Sequence, residues 1–187
     1  MEVCLLRHGK VNYPPISMLS ALDFTQWVES YDTNMLDHSS RPSEKAISMA
    51  GEAKAIVCSD LPRSLESMRV LGIDEATLID SLFKEVDLPV AQWKFPKLSV
   101  RIWAILFRFA WFLGYTNESE SLRDAQERAK KATRVLVELA EEHNTVLFVG
   151  HGILNRFIAK ELRRLSWEGP KVPSREYWEY SVYKIDM

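Results

Sequence analysis

Two histidines in the sequence each follow a short apolar run and adjoin a glycine. His8 follows the run 2–6 and is preceded by Arg7, and His151 follows the run 145–149. A histidine can attack phosphorus as a nucleophile, and a guanidinium group can bind phosphate oxygens through its fork of N–H donors. The adjoining glycines let backbone N–H groups approach an anion closely. These residue types, in this order, indicate phosphoryl chemistry.

A second arginine and a carboxylate could complete such a site. Arg63 opens a predicted helix after the apolar run 55–58, and Glu85 follows a third predicted strand. A phosphoryl group in transfer spreads its negative charge over three equatorial oxygens, which two guanidinium groups and an imidazolium could bind. The other histidine would then attack phosphorus, while protonated Glu85 would donate to the leaving oxygen.

The elements that must position these residues alternate along the chain. The clearest periodicity is an apolar face that predicts a helix from about Ser119 to His143, stopped by Asn144. The other predicted helices are Ser17–Ser30 with Ser17 as its cap, Ser43–Ala50 stopped at Gly51, Leu61–Leu71 and Leu154–Arg164. The predicted strands are Glu2–Leu6, Ala55–Cys58, Thr77–Asp80, Thr145–Val149 and Tyr177–Ile185, and a loop is predicted around Asp32 to Arg41.

This alternation predicts an α/β fold, a three-layer α/β/α sandwich with a mostly parallel central sheet. Ligands bind beyond the carboxyl ends of the strands in such folds. We therefore expect the two histidines, the two arginines and the carboxylate to meet at one edge of the sheet.

The aromatic-rich stretch from Pro89 to Thr116 interrupts the alternation. We interpret it as a partly helical cap inserted at about 89–117 in a single domain spanning 1–187. Its aromatic side chains could form the core of the cap, line an apolar substrate pocket, or form a face for homo-oligomer assembly.

The composition and net charge of the chain limit the classes of function that it can have. The chain has 187 residues, of which 47% are hydrophobic and 27% charged, as is usual for one globular domain. A net charge of −2 offers no overall attraction for nucleic acid or for an anionic membrane, although a local cationic pocket is compatible with it. Neither a signal peptide nor an apolar run of the ~20 residues needed for a membrane span is evident. Cys4 and Cys58 match no metal-ligand spacing, so we expect two reduced thiols in a cytoplasmic protein.

Five segments together resemble the histidine phosphatase superfamily, also called phosphoglycerate mutase-like, in its smaller-domain branch. The segments are Leu5-Leu6-Arg7-His8-Gly9, Cys58-Ser59-Asp60-Leu61-Pro62-Arg63-Ser64, Phe83-Lys84-Glu85, Glu120-Ser121-Leu122 through Arg128, and Val149-Gly150-His151-Gly152. They occur in the order of the family, and the resemblance covers residues 3 to about 158.

The resemblance implies a metal-independent phosphatase without cofactors, in which His8 is transiently phosphorylated. It implies that Arg7, Arg63 and His151 form the phosphate pocket. Glu85 would donate a proton to the leaving group and then activate water. Because the cap is about 28 residues long, we expect a small phosphorylated metabolite as substrate rather than a phosphoprotein.

Several alternatives remain open at this point. A phosphoglycerate-type mutase, a phosphoprotein phosphatase and a non-catalytic pseudo-phosphatase that binds a phospho-ligand would share the same motifs. Asp87 is a rival proton donor, because it shares a face of an extended segment with Glu85. Lys10 and Asn12 are candidate substrate-binding residues, and Lys10 is either a site for a second anionic group or a solvated lysine.

Overall fold

The computed structural model describes residues 1–13 and 18–186, which form one five-stranded sheet with helices on both faces. The strands are β1 (Glu2–Arg7), β2 (Ala55–Cys58), β3 (Leu78–Ile79), β4 (Thr145–Gly150) and β5 (Tyr180–Lys184). The helices are α1 (Ala21–Thr33), α2 (Glu44–Glu52), α3 (Pro62–Val70), α4 (Val100–Phe112), α5 (Leu122–His143) and α6 (Gly152–Arg164), with a 3-10 helix at Ser81–Phe83.

The sheet has the order β3-β2-β4-β1-β5. All neighbouring strands pair in parallel except β5, which is antiparallel to β1. The predicted α/β class with a mostly parallel sheet is therefore confirmed. The interior residues of the central strands β1, β2 and β4 are apolar and buried, as expected for strands that helices cover on both faces.

Alternation along β1 separates two cores. Val3 and Leu5 point to the layer that contains α5 and α6, whereas Cys4 and Leu6 point to the layer of α2 and α3. The first layer is closed by the apolar face of α5, whose alanines allow it to lie close to the sheet. Three layers follow from this arrangement, as the sequence predicted.

Helices α1 and α4 form a separate apolar cluster beside the sandwich. Phe24 of α1 stacks on Phe107 of α4 with ring centroids 5.6 Å apart, and Phe107 stacks on Trp103. A β-bridge between Leu19 and Leu98 joins the segments that precede the two helices. The predicted cap segment therefore contacts the main body through α1.

Some predicted helix bounds are wrong. Helix α1 begins at Ala21, because Ser20 and Asp23 cap it reciprocally, and it runs to Thr33 through the start of the predicted loop. The predicted cap Ser17 lies outside the described residues. Helix α2 continues through Gly51, since Ala46 and Ala50 bury one of its faces.

The remaining elements lie close to their predicted positions. Helix α5 starts three residues later than predicted, with Ser121 as its cap, and ends at Asn144, which adopts a φ of 69°. Cys4 and Cys58 are free, buried thiols, as expected. Within the described residues, no helix has the length and apolarity needed to cross a membrane.

Leu136 tests the packing of α5 against the sheet. It is fully buried, so Leu136→Ala is expected to lower the free energy of unfolding by about 2–5 kcal/mol through lost burial and a residual cavity. Urea denaturation measures this change. Glu138→Ala, at an exposed position on the same helix, is the control and should stay within about 0.5 kcal/mol of the parent protein. Equal losses in both variants would contradict the buried placement of this face.

Candidate active site

Three strands end at the same edge of the sheet and bring the two histidines together. In the pairing of β1 with β4, Arg7 lies opposite Gly150, and the His8 backbone N–H donates to the Gly150 carbonyl at 3.0 Å. His8 and His151 therefore both lie just beyond paired strand ends. Their ring centroids are 5.0 Å apart.

Hydrogen bonding fixes the tautomer of His8. Its Nδ1 lies 2.7 Å from the Gly9 carbonyl oxygen, which can only accept, so Nδ1 carries the proton. The lone pair then resides on Nε2, which has no hydrogen-bond partner among the described residues. The backbone at this point is fixed further because the Gly9 N–H donates to Ser67 Oγ at 2.9 Å.

His151 is held from the opposite side. Its Nε2 lies 2.7 Å from Ser59 Oγ, and that oxygen also accepts the Leu61 N–H at 3.4 Å. This contact engages Nε2 and leaves Nδ1 as the other ring nitrogen of His151. Within the described part of the chain, this buried Nδ1 has no partner.

Both histidines are neutral in the free protein. Burial, followed by the charge of Arg63, holds the pKa of His8 well below its usual value. Burial and then His8 itself have the same effect on the pKa of His151. At neutral pH the free protein therefore presents two uncharged imidazoles at this site.

Two arginines flank the histidines, and each keeps its buried Nε–H unused among the described residues. Arg7 lies over the ring of Tyr177 at 4.2 Å and donates from Nη1 to the Arg175 carbonyl. Arg63 donates from Nη1 to Asp32 at 2.7 Å. In both arginines the buried Nε–H has no partner among the described residues.

Glu85 lies at the start of α6. Its carboxylate accepts the N–H groups of Ile153 and Leu154 at 3.1–3.2 Å, where the helix N-terminus favours negative charge. A Cβ built on Gly152 would lie 3.7 Å from Glu85 Oε2 and 3.8 Å from Arg7 Nε. Carboxylate and guanidinium thus converge on one glycine of the motif around His151.

A residue of α5 holds the segment that leads to Glu85. Arg128 donates to the carbonyls of Leu82 and Lys84 at 2.9 and 2.8 Å, and it forms an ion pair with Glu120. Glu120 and Arg128 therefore hold the backbone on which Glu85 lies.

The site opens into a cavity of about 490 Å³ between the sheet edge, α1 and α4. Arg7, His8, Arg63 and Glu85 line it, and His151 lies buried behind His8. The opposite wall is largely apolar and includes Phe24, Trp27, Leu88, Val100 and Ala104.

The whole-chain comparison now decides the family. A family model of the histidine phosphatase superfamily (branch 1) matches residues 3–186. The chain belongs to this superfamily. No curated protein matches the sequence.

Solved structures of similar fold include the product of the open reading frame Rv3214 from Mycobacterium tuberculosis. It is 16% identical, with a TM-score of 0.63, over 99% of this chain and 91% of that one. YhfR from Bacillus stearothermophilus is 19% identical, with a TM-score of 0.61 and the same coverage. A mycobacterial glucosyl-3-phosphoglycerate phosphatase is 20% identical, with a TM-score of 0.54, over 87% of this chain and 79% of that one.

The structure separates the candidate residues of this superfamily member into two groups. Arg7, His8, Arg63, Glu85 and His151 lie together. Lys10 and Asn12 do not line the cavity: both are exposed, and Lys10 forms an ion pair with Asp37 at 3.2 Å.

Several residues at this site were missed in the sequence. Lys84 supplies a cation to the cavity wall, where it pairs with Asp60 at 3.2 Å. Ser59, directly after β2, could have been found from its motif. Asp32 and Tyr177 carried no local signal, because they reach the site only through tertiary packing.

Asp87 also lines the cavity. Burial, followed by the nearby carboxylates of Glu120 and Asp32, raises its pKa above the usual value. Among the described residues, no group of three or more His, Cys, Asp and Glu side chains is placed to hold a metal ion.

The neutral buried histidines predict how stability depends on pH. Below about pH 6.5 the unfolded chain binds protons at His8 and His151 that the folded protein does not. The free energy of unfolding should therefore decrease as the pH falls, with a slope approaching about 1.4 kcal/mol per pH unit for each histidine.

Urea denaturation across a pH series measures this slope. His8→Gln should remove part of it, whereas His38→Gln, at an exposed position, should leave it unchanged. A stability that is independent of pH below 6.5, or an equal effect of both variants, would contradict neutral buried histidines.

Proposed function

We propose that this chain hydrolyses small phosphomonoesters through a phosphohistidine formed on His8. One observation carries the proposal: three side chains beside His8 each keep a buried nitrogen without a hydrogen-bond partner in the described structure. These atoms are Arg7 Nε, Arg63 Nε and His151 Nδ1. Leaving a buried donor unsatisfied is costly, and in the proposal the two guanidinium N–H groups and His151 Nδ1, carrying the ring proton, bind the three equatorial oxygens of a phosphoryl group in transfer.

His8 has the form that a nucleophile requires. Its neutral ring carries a lone pair on Nε2, and its Nδ1–H is held by the Gly9 carbonyl. In the first step Nε2 forms a bond to phosphorus while the ester P–O bond breaks. The charge of Arg7 and Arg63 stabilises the oxygens of the transferred group, so this step needs no metal ion.

In this proposal Glu85 donates a proton in the first step and accepts one in the second. It lies beside Arg7 across Gly152, within the same cavity as His8. Protonated Glu85 donates to the leaving alcohol oxygen in the first step. In the second step the carboxylate takes a proton from water, the water oxygen attacks phosphorus, the N–P bond breaks, and inorganic phosphate leaves.

The cavity supports a small-molecule substrate. Its volume of about 490 Å³ falls within the range of ligand pockets, and α1 and α4 wall it in. One structural neighbour is named a glucosyl-3-phosphoglycerate phosphatase, which is also an enzyme of a small metabolite. These two points favour a metabolite over a phosphoprotein.

The phosphohistidine is tested by rapid quenching during turnover of an aryl phosphate in the presence of excess chelator. We expect an acid-labile, base-stable phosphate on the peptide that contains His8. His8→Ala should lower kcat/KM at least about 10³-fold, since the nucleophile is lost. His38→Ala is the matched control and should retain activity. An acid-stable adduct, or full activity of His8→Ala, would contradict the proposal.

Substrates with different leaving groups distinguish the role of Glu85 from that of Asp87. Glu85→Gln should lower kcat with an alkyl phosphate about 10²–10⁴-fold but much less with an activated aryl phosphate, whose leaving oxygen hardly needs a proton. Asp87→Asn should show no such dependence. The reverse pattern, measured on the same substrate pair, would assign proton donation to Asp87.

A further inference from the structure

The cap segment, residues 89–117, carries a charge unlike that of the rest of the chain. It contains four cations, Lys94, Lys97, Arg101 and Arg108, and no Asp or Glu. The whole chain has 24 Lys and Arg against 26 Asp and Glu, so the remainder has 20 against 26. The cap is thus the cationic part of an otherwise acidic protein.

Helix α4 in this segment is apolar on two opposite faces. Its inner face buries Trp103, Phe107 and Trp111. Its outer face presents Ile102, Ile105, Leu106, Phe109 and Leu113, a spacing that places these side chains on one stripe of the helix. All five are exposed, by between 44% and 74%.

The loop before α4 extends this stripe. Trp93 and Phe95 are 55% and 78% exposed, and Lys94 and Lys97 are interleaved with them. Trp93 and Tyr115 line one apolar groove with Leu106, Phe109 and Leu113. We call these exposed apolar side chains, together with Lys94, Lys97 and Arg101, the cap surface. A contiguous apolar patch of this kind marks an interaction site in a soluble protein.

We propose that the cap surface binds the surface of an anionic lipid bilayer, with α4 lying in the plane of the headgroups. Exposed Trp, Phe and Leu side chains beside Lys and Arg are the composition of helices that bind at this interface. The apolar stripe would enter the boundary between headgroups and acyl chains, while the cations contact lipid phosphates. A helix of 13 residues is too short to span the bilayer.

Charge complementarity favours a bilayer over a second copy of the chain. A two-fold contact places the same patch on both partners, so both copies would bring only cations, Lys94, Lys97 and Arg101, as the charged side chains of this surface. The segment has no carboxylate to pair with them. Anionic lipid headgroups supply the missing charge and are attracted over about a Debye length.

The proposal is independent of the catalytic one. The catalytic residues lie on the sheet edge and at the start of α6, whereas α4 reaches the cavity with Val100, Ala104 and Arg108 and not with its outer stripe. Variants of the outer stripe can therefore be made without touching the residues assigned to catalysis.

Co-sedimentation of the full chain with vesicles tests the proposal. Vesicles of phosphatidylcholine alone are compared with vesicles that also contain phosphatidylglycerol. We expect at least about tenfold tighter binding to the anionic vesicles, and weaker binding as the salt concentration rises. Lys94→Glu combined with Phe109→Ser should abolish the binding. The matched control is Lys45→Glu combined with Ile47→Ser on the exposed face of α2, which should bind like the parent.

Three results would overturn the proposal. The first is no binding to anionic vesicles, and the second is equal binding to both vesicle types. The third is a concentration-dependent dimer in light scattering that Phe109→Ser dissociates, without vesicle binding by the parent; this would assign the cap surface to a second copy of the chain. Circular dichroism of each variant, matched to the parent, excludes misfolding as the cause of lost binding.

Discussion

The parallel pairing of β1 with β4 is the constraint on which the site depends. The register places Arg7 opposite Gly150, so the residues after each strand end, His8 and His151, come within 5.0 Å between ring centroids. A slip of one residue would turn the buried side chains of β1 to the wrong faces and separate the two rings. The apolar side chains of both strand faces therefore hold His8 and His151 in their relative positions. The burial that holds β1 and β4 between two helical layers thus also fixes the positions of His8 and His151.

The same burial places positive charge in the interior, and neighbouring groups compensate this charge only in part. Arg63 is almost fully buried beside two histidines. Asp32 pairs with one end of its guanidinium, while Tyr31 and Tyr177 provide ring faces for Arg63 and Arg7. Both imidazoles are neutral, because burial and the surrounding positive charge lower their pKa values. What is left is a small excess of positive charge with unused N–H donors, which a bound phosphoryl dianion would neutralise.

Much of this could be predicted from the sequence, because strand ends and helix caps are local features. The apolar runs that end at Leu6, Cys58 and Val149 predict the ends of three strands to within one residue, and these ends meet at one edge of the sheet. Asp32 and Lys84 show the limit. Asp32 belongs to a helix that extends beyond its predicted end, and its partner Arg63 is 31 residues away. Lys84, rather than Lys10, lines the cavity because Arg128 of α5 holds its segment there. Such contacts depend on packing between distant elements, which periodicity does not encode.

Two groups of cations in this protein have different physical surroundings, and this difference decides what each can bind. Arg7 and Arg63 are fixed by hydrogen bonds and ring contacts, so desolvation and geometry together select one small anion of defined shape. Lys94, Lys97 and Arg101 are exposed on the cap segment, where solvent screens each charge and the side chains are not held in one geometry. Exposed cations of that kind favour a negatively charged surface, but they do not select a ligand by its shape. Helix α4 lies between the two groups, with one apolar face toward the cavity and the other toward solvent. The sequence of α4 is apolar on nearly every side, so the face left exposed is determined by packing: Trp103 and Phe107 pack in one cluster with α1, and Trp111 packs against Val86 and Ala125.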